Sequence, residues 1–296
     1  MKQMRIPLYV ILGIALIGII FGSFFDLQIS TAIASSTSGF GLGVSIVGPT
    51  IGFMGLALFG GGFIGLAIHG QYPKWAKALF WVAGIAAYVV SVYFSGTEYF
   101  GVNGFYGNIP EWVGFIIAAI PLAGAEVGGY FLFRKTENKY AWVIYLIAFA
   151  VLLLTLVAGV TGLKAIFHRP RFRTVSTTAI DFHNWWQPCR DYKNLMQAYG
   201  LVSEEFKSFP SGHTAEASIL LVTTTFAPLV NPKLKKIQVP CFILAFAFVM
   251  LVGFARILAA AHYLSDVSMG ASITIVFTII ANEIVLHNKR LQEKTI

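Results

Sequence analysis

AWVIYLIAFAVLLLTLVAGVTGLK, residues 141–164, carries no charged side chain until its last residue. At 1.5 Å per residue, the 23 residues before Lys164 form a helix of about 34 Å, enough to cross roughly 30 Å of bilayer hydrocarbon. A run that is apolar all round, with no period of two, reads as a membrane span. Seven further runs flank it: Ile6–Gly22, Val44–His69, Ala78–Ser95 and Trp112–Phe133 before it, and Thr214–Val230, Val239–Gly253 and Val267–Leu286 after it. The Thr214 and Val239 runs are short, and each gains a turn if the helix extends toward its polar end. The fold class is therefore all-α, a polytopic integral membrane helical bundle. A composition of 57% hydrophobic and 11% charged residues excludes a soluble surface.

A net charge of +8 would also suit a nucleic-acid binder, so the placement of the 21 basic residues decides. With eight crossings, thirteen of them fall on one side: Lys2, Arg5, Lys74, Lys77, Arg134, Lys135, Lys139, Lys233, Lys235, Lys236, Lys289, Arg290 and Lys294. The positive-inside rule makes that side cytoplasmic, with both termini on it, and no nucleic-acid partner is expected. The opposite loops around Asp26–Gly43 and Gly96–Glu111 contain no Lys or Arg. The remaining eight, running from Lys164 to Arg256, sit on the outer side against the rule and call for another explanation. The first run follows Lys2 and Arg5, and Ala32-Ile-Ala34 mimics a secretory cleavage site, but the run ends well before it, so an uncleaved span is expected. Cys189 and Cys241 are too few for a disulfide framework.

Glycines at Gly60, Gly61, Gly62, Gly65, Gly124, Gly128 and Gly129 read as helix packing positions. Glu126 is an acid within an apolar run, read as an interior hydrogen-bonded or near-interface group. Residues 171–210 form the long polar interruption, an extracytoplasmic insert whose Trp185, Trp186 and Tyr199 suit the headgroup level.

Three clusters meet at one surface in this topology: Lys164 with Arg169, Arg171 and Arg173; Pro210-Ser211-Gly212-His213; and Arg256 with His262 and Asp266. Guanidinium forks and an ammonium group suit a phosphate, Gly212 admits close backbone approach, and Ser211 adds a hydroxyl. A helix starting near His213 would add free N–H groups and the positive end of its dipole. Spaced i, i+4, His262 and Asp266 share a face if helical, so that the carboxylate holds one ring nitrogen and leaves the other as a nucleophile. His213 would then protonate the departing oxygen and later activate water. Glu216, three residues on, either tunes His213 or complements a helix N-terminus, and the second is favoured.

Lys164, six residues, Arg171; Pro210-Ser211-Gly212-His213; and Arg256, five residues, His262, three residues, Asp266 together resemble the type 2 phosphatidic acid phosphatase superfamily, in its membrane lipid phosphatase branch. Phe172 and Ala255 stand where that family usually has Pro and Ser. Arg169-Pro170 offers a competing Arg-Pro pair but lies too close to Lys164, so the role goes to Arg171. The resemblance implies that Lys164, Arg171, Ser211, Gly212 and Arg256 bind phosphate, His262 is the nucleophile, His213 the general acid, and Asp266 the group that orients His262. It implies a six-helix core with about two extra N-terminal spans. The chain then divides into four N-terminal helices over 1–140 and a catalytic core over 141–296 that contains the 171–210 insert.

The implied activity is metal-independent phosphatase chemistry through a phosphohistidine, with no cofactor and no metal site. The implied substrate is a membrane lipid such as a polyprenyl diphosphate, phosphatidic acid or phosphatidylglycerol phosphate. The same resemblance admits two other readings, a phosphatase of a soluble sugar phosphate as in the glucose-6-phosphatases and a non-catalytic transporter or scaffold. The retention of every catalytic position weighs against the second. Vanadium haloperoxidases share the motif but are not built from spanning helices. The substrate and the oligomeric state are not written in the sequence.

Overall fold

The apolar runs all become helix, and no strand forms among the described residues. The structure, a computed structural model, describes residues 2–99 and 110–292. Lys294 and most of the 96–111 connection therefore lie outside the described residues.

The helices are α1 (Lys2–Ile33), α2 (Gly39–His69), α3 (Lys74–Glu98), α4 (Glu111–Phe133), α5 (Ala141–Leu153), α6 (Gly162–Phe167), α7 (Phe172–Thr177), α8 (Tyr192–Tyr199), α9 (Gly212–Ala217), α10 (Ile219–Val230), α11 (Gln238–Leu258), α12 (Leu264–His287) and α13 (Lys289–Gln292). A π-helical stretch, Leu154–Thr161, joins α5 to α6 without a break. Among the described residues seven helical stretches are long and apolar enough to cross a bilayer: α1 to α4, the stretch beginning with α5, α11 and α12.

The expected eighth, Thr214–Val230, is instead two short helices. It breaks at Ser218, whose hydroxyl donates back to the Thr214 carbonyl at 2.8 Å. Hydroxyl back-bonding of this kind competes with the regular helical ladder.

Helix α1 also departs from expectation, continuing eleven residues past Gly22 through Asp26 to Ile33. The apolar signal stops where the helix turns polar residues inward. Ser23 accepts a hydrogen bond from the Trp185 indole at 2.9 Å, and Asp26 is buried against Arg169.

Because lipid tails are as apolar as the side chains they would replace, helix association here rests on close packing. Helix α2 is the centre, packing on α3, α4, α5, α9, α10 and α11, while α1 lies along α12. A Cβ on Gly61 would sit 1.9 Å from the Glu126 carbonyl, and one on Gly129 2.0 Å from the Leu58 carbonyl, so α2 and α4 touch backbone to backbone. Gly52 brings α2 just as near to α9, where a Cβ would lie 2.4 Å from the Glu216 carbonyl. Arg5 and Glu283 pair at 2.9 Å, fixing the start of α1 beside the end of α12. The polar clusters gather at the opposite end, where the Ser35 amide also bonds the Leu258 carbonyl.

Candidate active site

Lys164 leaves the membrane helix on α6, which ends at His168 in the left-handed region with φ 43°. That reversal throws the next basic residues in different directions. Arg169 is fully buried and spent on structure. It donates to Asp266 at 2.5 Å, Asp26 at 2.9 Å, Ser265 at 2.9 Å and the His183 carbonyl at 2.8 Å. Arg171, N-cap of α7, instead reaches the pocket and pairs with Glu204 there. The arginine of the competing Arg-Pro pair is thus taken up by carboxylates away from the pocket, whereas Arg171 meets its carboxylate on the pocket wall.

A pocket of about 300 Å³ lies between these elements. Lys164, Arg171, Gly212, His213, Arg256 and His262, from all three sequence clusters, line it. Arg256, in the last turn of α11, is 1% exposed, and its Nε and Nη1 have no hydrogen-bond partner. Buried guanidinium donors are costly to leave unmet, and Arg256 lines the cavity. Gly212 faces Lys164, and a Cβ there would come to 3.5 Å from Nζ.

His262 lies outside any helix, in the turn between α11 and α12. Its Nδ1 donates to the Ser208 carbonyl at 2.6 Å, while Asp266 Oδ2 is 3.7 Å away. The i, i+4 helical face expected of this pair does not form. Asp266 sits in the first turn of α12 and caps it, accepting from the Tyr263 amide at 2.8 Å. The same oxygen also accepts from the Ser208 hydroxyl at 2.5 Å. Burial pushes the imidazole well below its usual value, which favours the neutral ring, and with Nδ1 donating to Ser208 that form leaves Nε2 unprotonated.

Ser211 is the N-cap of α9 and is fully buried, its hydroxyl accepting from Thr214 Oγ1 at 3.0 Å. It does not line the pocket. Glu216 does line it, in the second turn of α9, with Oε2 buried and unpartnered. It is therefore no complement to the helix N-terminus.

Three contributors were not visible in the motifs. Glu98, the last residue of α3, places Oε2 3.1 Å from His213 Nε2. Glu204 and Glu205 come from the end of the insert and hold Arg171 and Arg173. Burial alone would raise the Glu204 carboxyl, but Arg171, Lys164 and Lys207 outweigh it and hold it below the usual carboxylate range. Glu205 follows the same pattern, with Arg173 and Thr174 supplying the hydrogen bonds. Only the absence of any basic residue beside Glu98 in its loop could have drawn attention to it. The insert is tied to α1, where Trp185 donates to the Ser23 hydroxyl at 2.9 Å, whereas Trp186 and Tyr199 stay exposed. Among the described residues no three histidine, cysteine or carboxylate side chains are grouped as around a metal ion.

A helical bundle of this kind, with a pocket of cations and two histidines at one end, is that of an integral membrane protein. The model of the PAP2 superfamily matches residues 140–290, about half the chain, and the chain belongs to that superfamily. Its members are phosphatases, so the protein is a phosphoric-ester hydrolase. No curated protein and no solved structure matches the chain.

Proposed function

We propose that the protein hydrolyses the phosphate or diphosphate of a membrane lipid, without a metal, through a phosphohistidine, at a site facing away from the cytoplasm. The observation that carries this reading is Arg256, a buried guanidinium with two unmet donors, on the wall that also presents His262 and His213. Lys164, Arg171 and Arg256 hold the phosphoryl oxygens, with Gly212 leaving room beside them. Nε2 of His262 attacks phosphorus, and the bond to the leaving oxygen breaks as His213 gives that oxygen a proton. His213 then takes a proton from water, whose oxygen attacks phosphorus, and the P–N bond breaks to release inorganic phosphate. A site set among the ends of spanning helices lies level with lipid headgroups, and this supports a lipid substrate over a soluble one. The distribution of basic residues supports the outward face and cytoplasmic termini.

Phosphate release by the purified protein from polyprenyl diphosphate, phosphatidic acid, phosphatidylglycerol phosphate and sugar phosphates, each with EDTA present, tests the proposal. Turnover of a lipid that persists in chelator and disappears in His262→Ala is the expected result. Faster turnover of sugar phosphates, loss of activity in EDTA, or an active His262→Ala protein would overturn it.

A further inference from the structure

Residues 140–290 contain the histidines, yet the pocket is closed by a residue from well outside them. Glu98 ends α3, and its carboxylate lies 3.1 Å from Nε2 of His213. His213 is otherwise set among groups that disfavour its charged form. It is buried, and Lys164 from α6 and Arg256 from α11 both face it. Arg171, Arg173, Glu204 and His262 stand across the same pocket, and Glu216 is on its own helix. The two arginines have Glu204 and Glu205 as partners, and Asp266 on neighbouring α12 is engaged by Arg169. Glu98 is thus the carboxylate in contact with the ring. An opposite charge at this range favours the imidazolium.

Resting on the phosphatase reading, we propose that Glu98 is a positioning residue that favours the protonated form of His213, against the burial and the cations that oppose it, for donation to the leaving oxygen. Helix α3 thereby becomes part of the active site and not only an anchor. The helix can deliver the side chain because α2, between α3 and α9, carries glycines on both faces. A Cβ on Gly60 would meet Ala87 of α3 at 3.0 Å, and one on Gly52 would meet α9 at 2.4 Å.

The full-length protein with Glu98→Gln, an isosteric change, tests the idea by the dependence of kcat/KM on leaving group. An alkyl phosphate needs its leaving oxygen protonated, whereas p-nitrophenyl phosphate scarcely does. Glu98→Gln should lower kcat/KM for the alkyl ester by about 10-fold or more and for the nitrophenyl ester far less, within the range general acid catalysis supplies. The alkaline limb of the alkyl-ester profile should move to lower pH, since His213 must be protonated to act and loses its proton more readily without the carboxylate. Glu98→Asp should recover part of the loss. Equal losses on both esters with an unmoved pH profile would mark Glu98 as merely structural and overturn the inference, as would no loss at all. A wild-type protein that turns over neither ester removes the phosphatase reading and this inference with it, whereas an active wild type with an indifferent Glu98→Gln removes the inference alone.

Discussion

Arg169 and Asp266 meet at 2.5 Å with neither side chain reaching solvent, and the other arm of the same guanidinium lies 2.9 Å from Asp26. One buried cation therefore joins the first helix, the loop after α6 and the turn that carries His262. Asp26 accepts from Arg169, the Ser265 amide and the Ser265 hydroxyl, so removing it leaves buried donors unmet. Asp26→Ala should cost about 1–3 kcal/mol of stability, measured by thermal unfolding in detergent, and activity should fall with it. A loss below about 1 kcal/mol would contradict this account.

Arg256 poses the opposite case, a buried guanidinium lacking partners in the free protein. Arg256→Ala should leave the melting temperature unchanged or raise it, because two unmet donors disappear. Inhibition by inorganic phosphate should weaken by about 10- to 100-fold, the equivalent of roughly 1.5–3 kcal/mol for hydrogen bonds to a charged group.

Two glycines near the pocket should respond differently to an added methyl. At Gly270 a Cβ would lie 2.3 Å from the Ser211 carbonyl, so Gly270→Ala should cost about 1–3 kcal/mol and displace the start of α9, the helix that carries His213. At Gly212 the nearest atom is Lys164 Nζ at 3.5 Å, ordinary contact, and Gly212→Ala should fold normally. Its methyl would take up pocket space, and KM should rise with little change in melting temperature.

Acid should loosen the insert. The Glu204 and Glu205 carboxyls are held below their ordinary value of 4.5, so their pairs with Arg171 and Arg173 stabilise the fold fully above that pH. This contribution is lost as pH falls below about 4.5 and through the lower folded-state values. Tryptophan emission from Trp185 and Trp186 should shift over that range, and the double variant Glu204→Gln, Glu205→Gln should flatten the shift. An emission profile unchanged by the substitutions would count against it.

Much of this molecule was legible as hydropathy, because a span must be apolar wherever it meets lipid. The signal faded where helices turn polar groups inward. Asp26 read as loop since the charge that neutralises it lies 143 residues away, and the run after His213 read as one span since a single serine hydroxyl breaks it. The site was legible to the extent that its groups keep fixed spacings along the chain. Lys164, Arg171, His213, Arg256 and His262 share one pocket, whereas Ser211 caps one helix and Asp266 caps another, 3.7 Å from His262. Glu98 carries no spacing signature at all. Its relation to His213 exists only once α2 has packed between their helices.

The pairing of Asp26 with Arg169 and Ser265 also sets an order of events during synthesis. Asp26 is inserted with the first helix and meets Ser265, its most distant partner, only after 239 further residues have been made. Until the last span arrives, an acidic group near the end of α1 has no finished socket, and the turn holding His262 has nothing to lock against. Chains cut before α12 should therefore lack the contact that anchors this turn to α1.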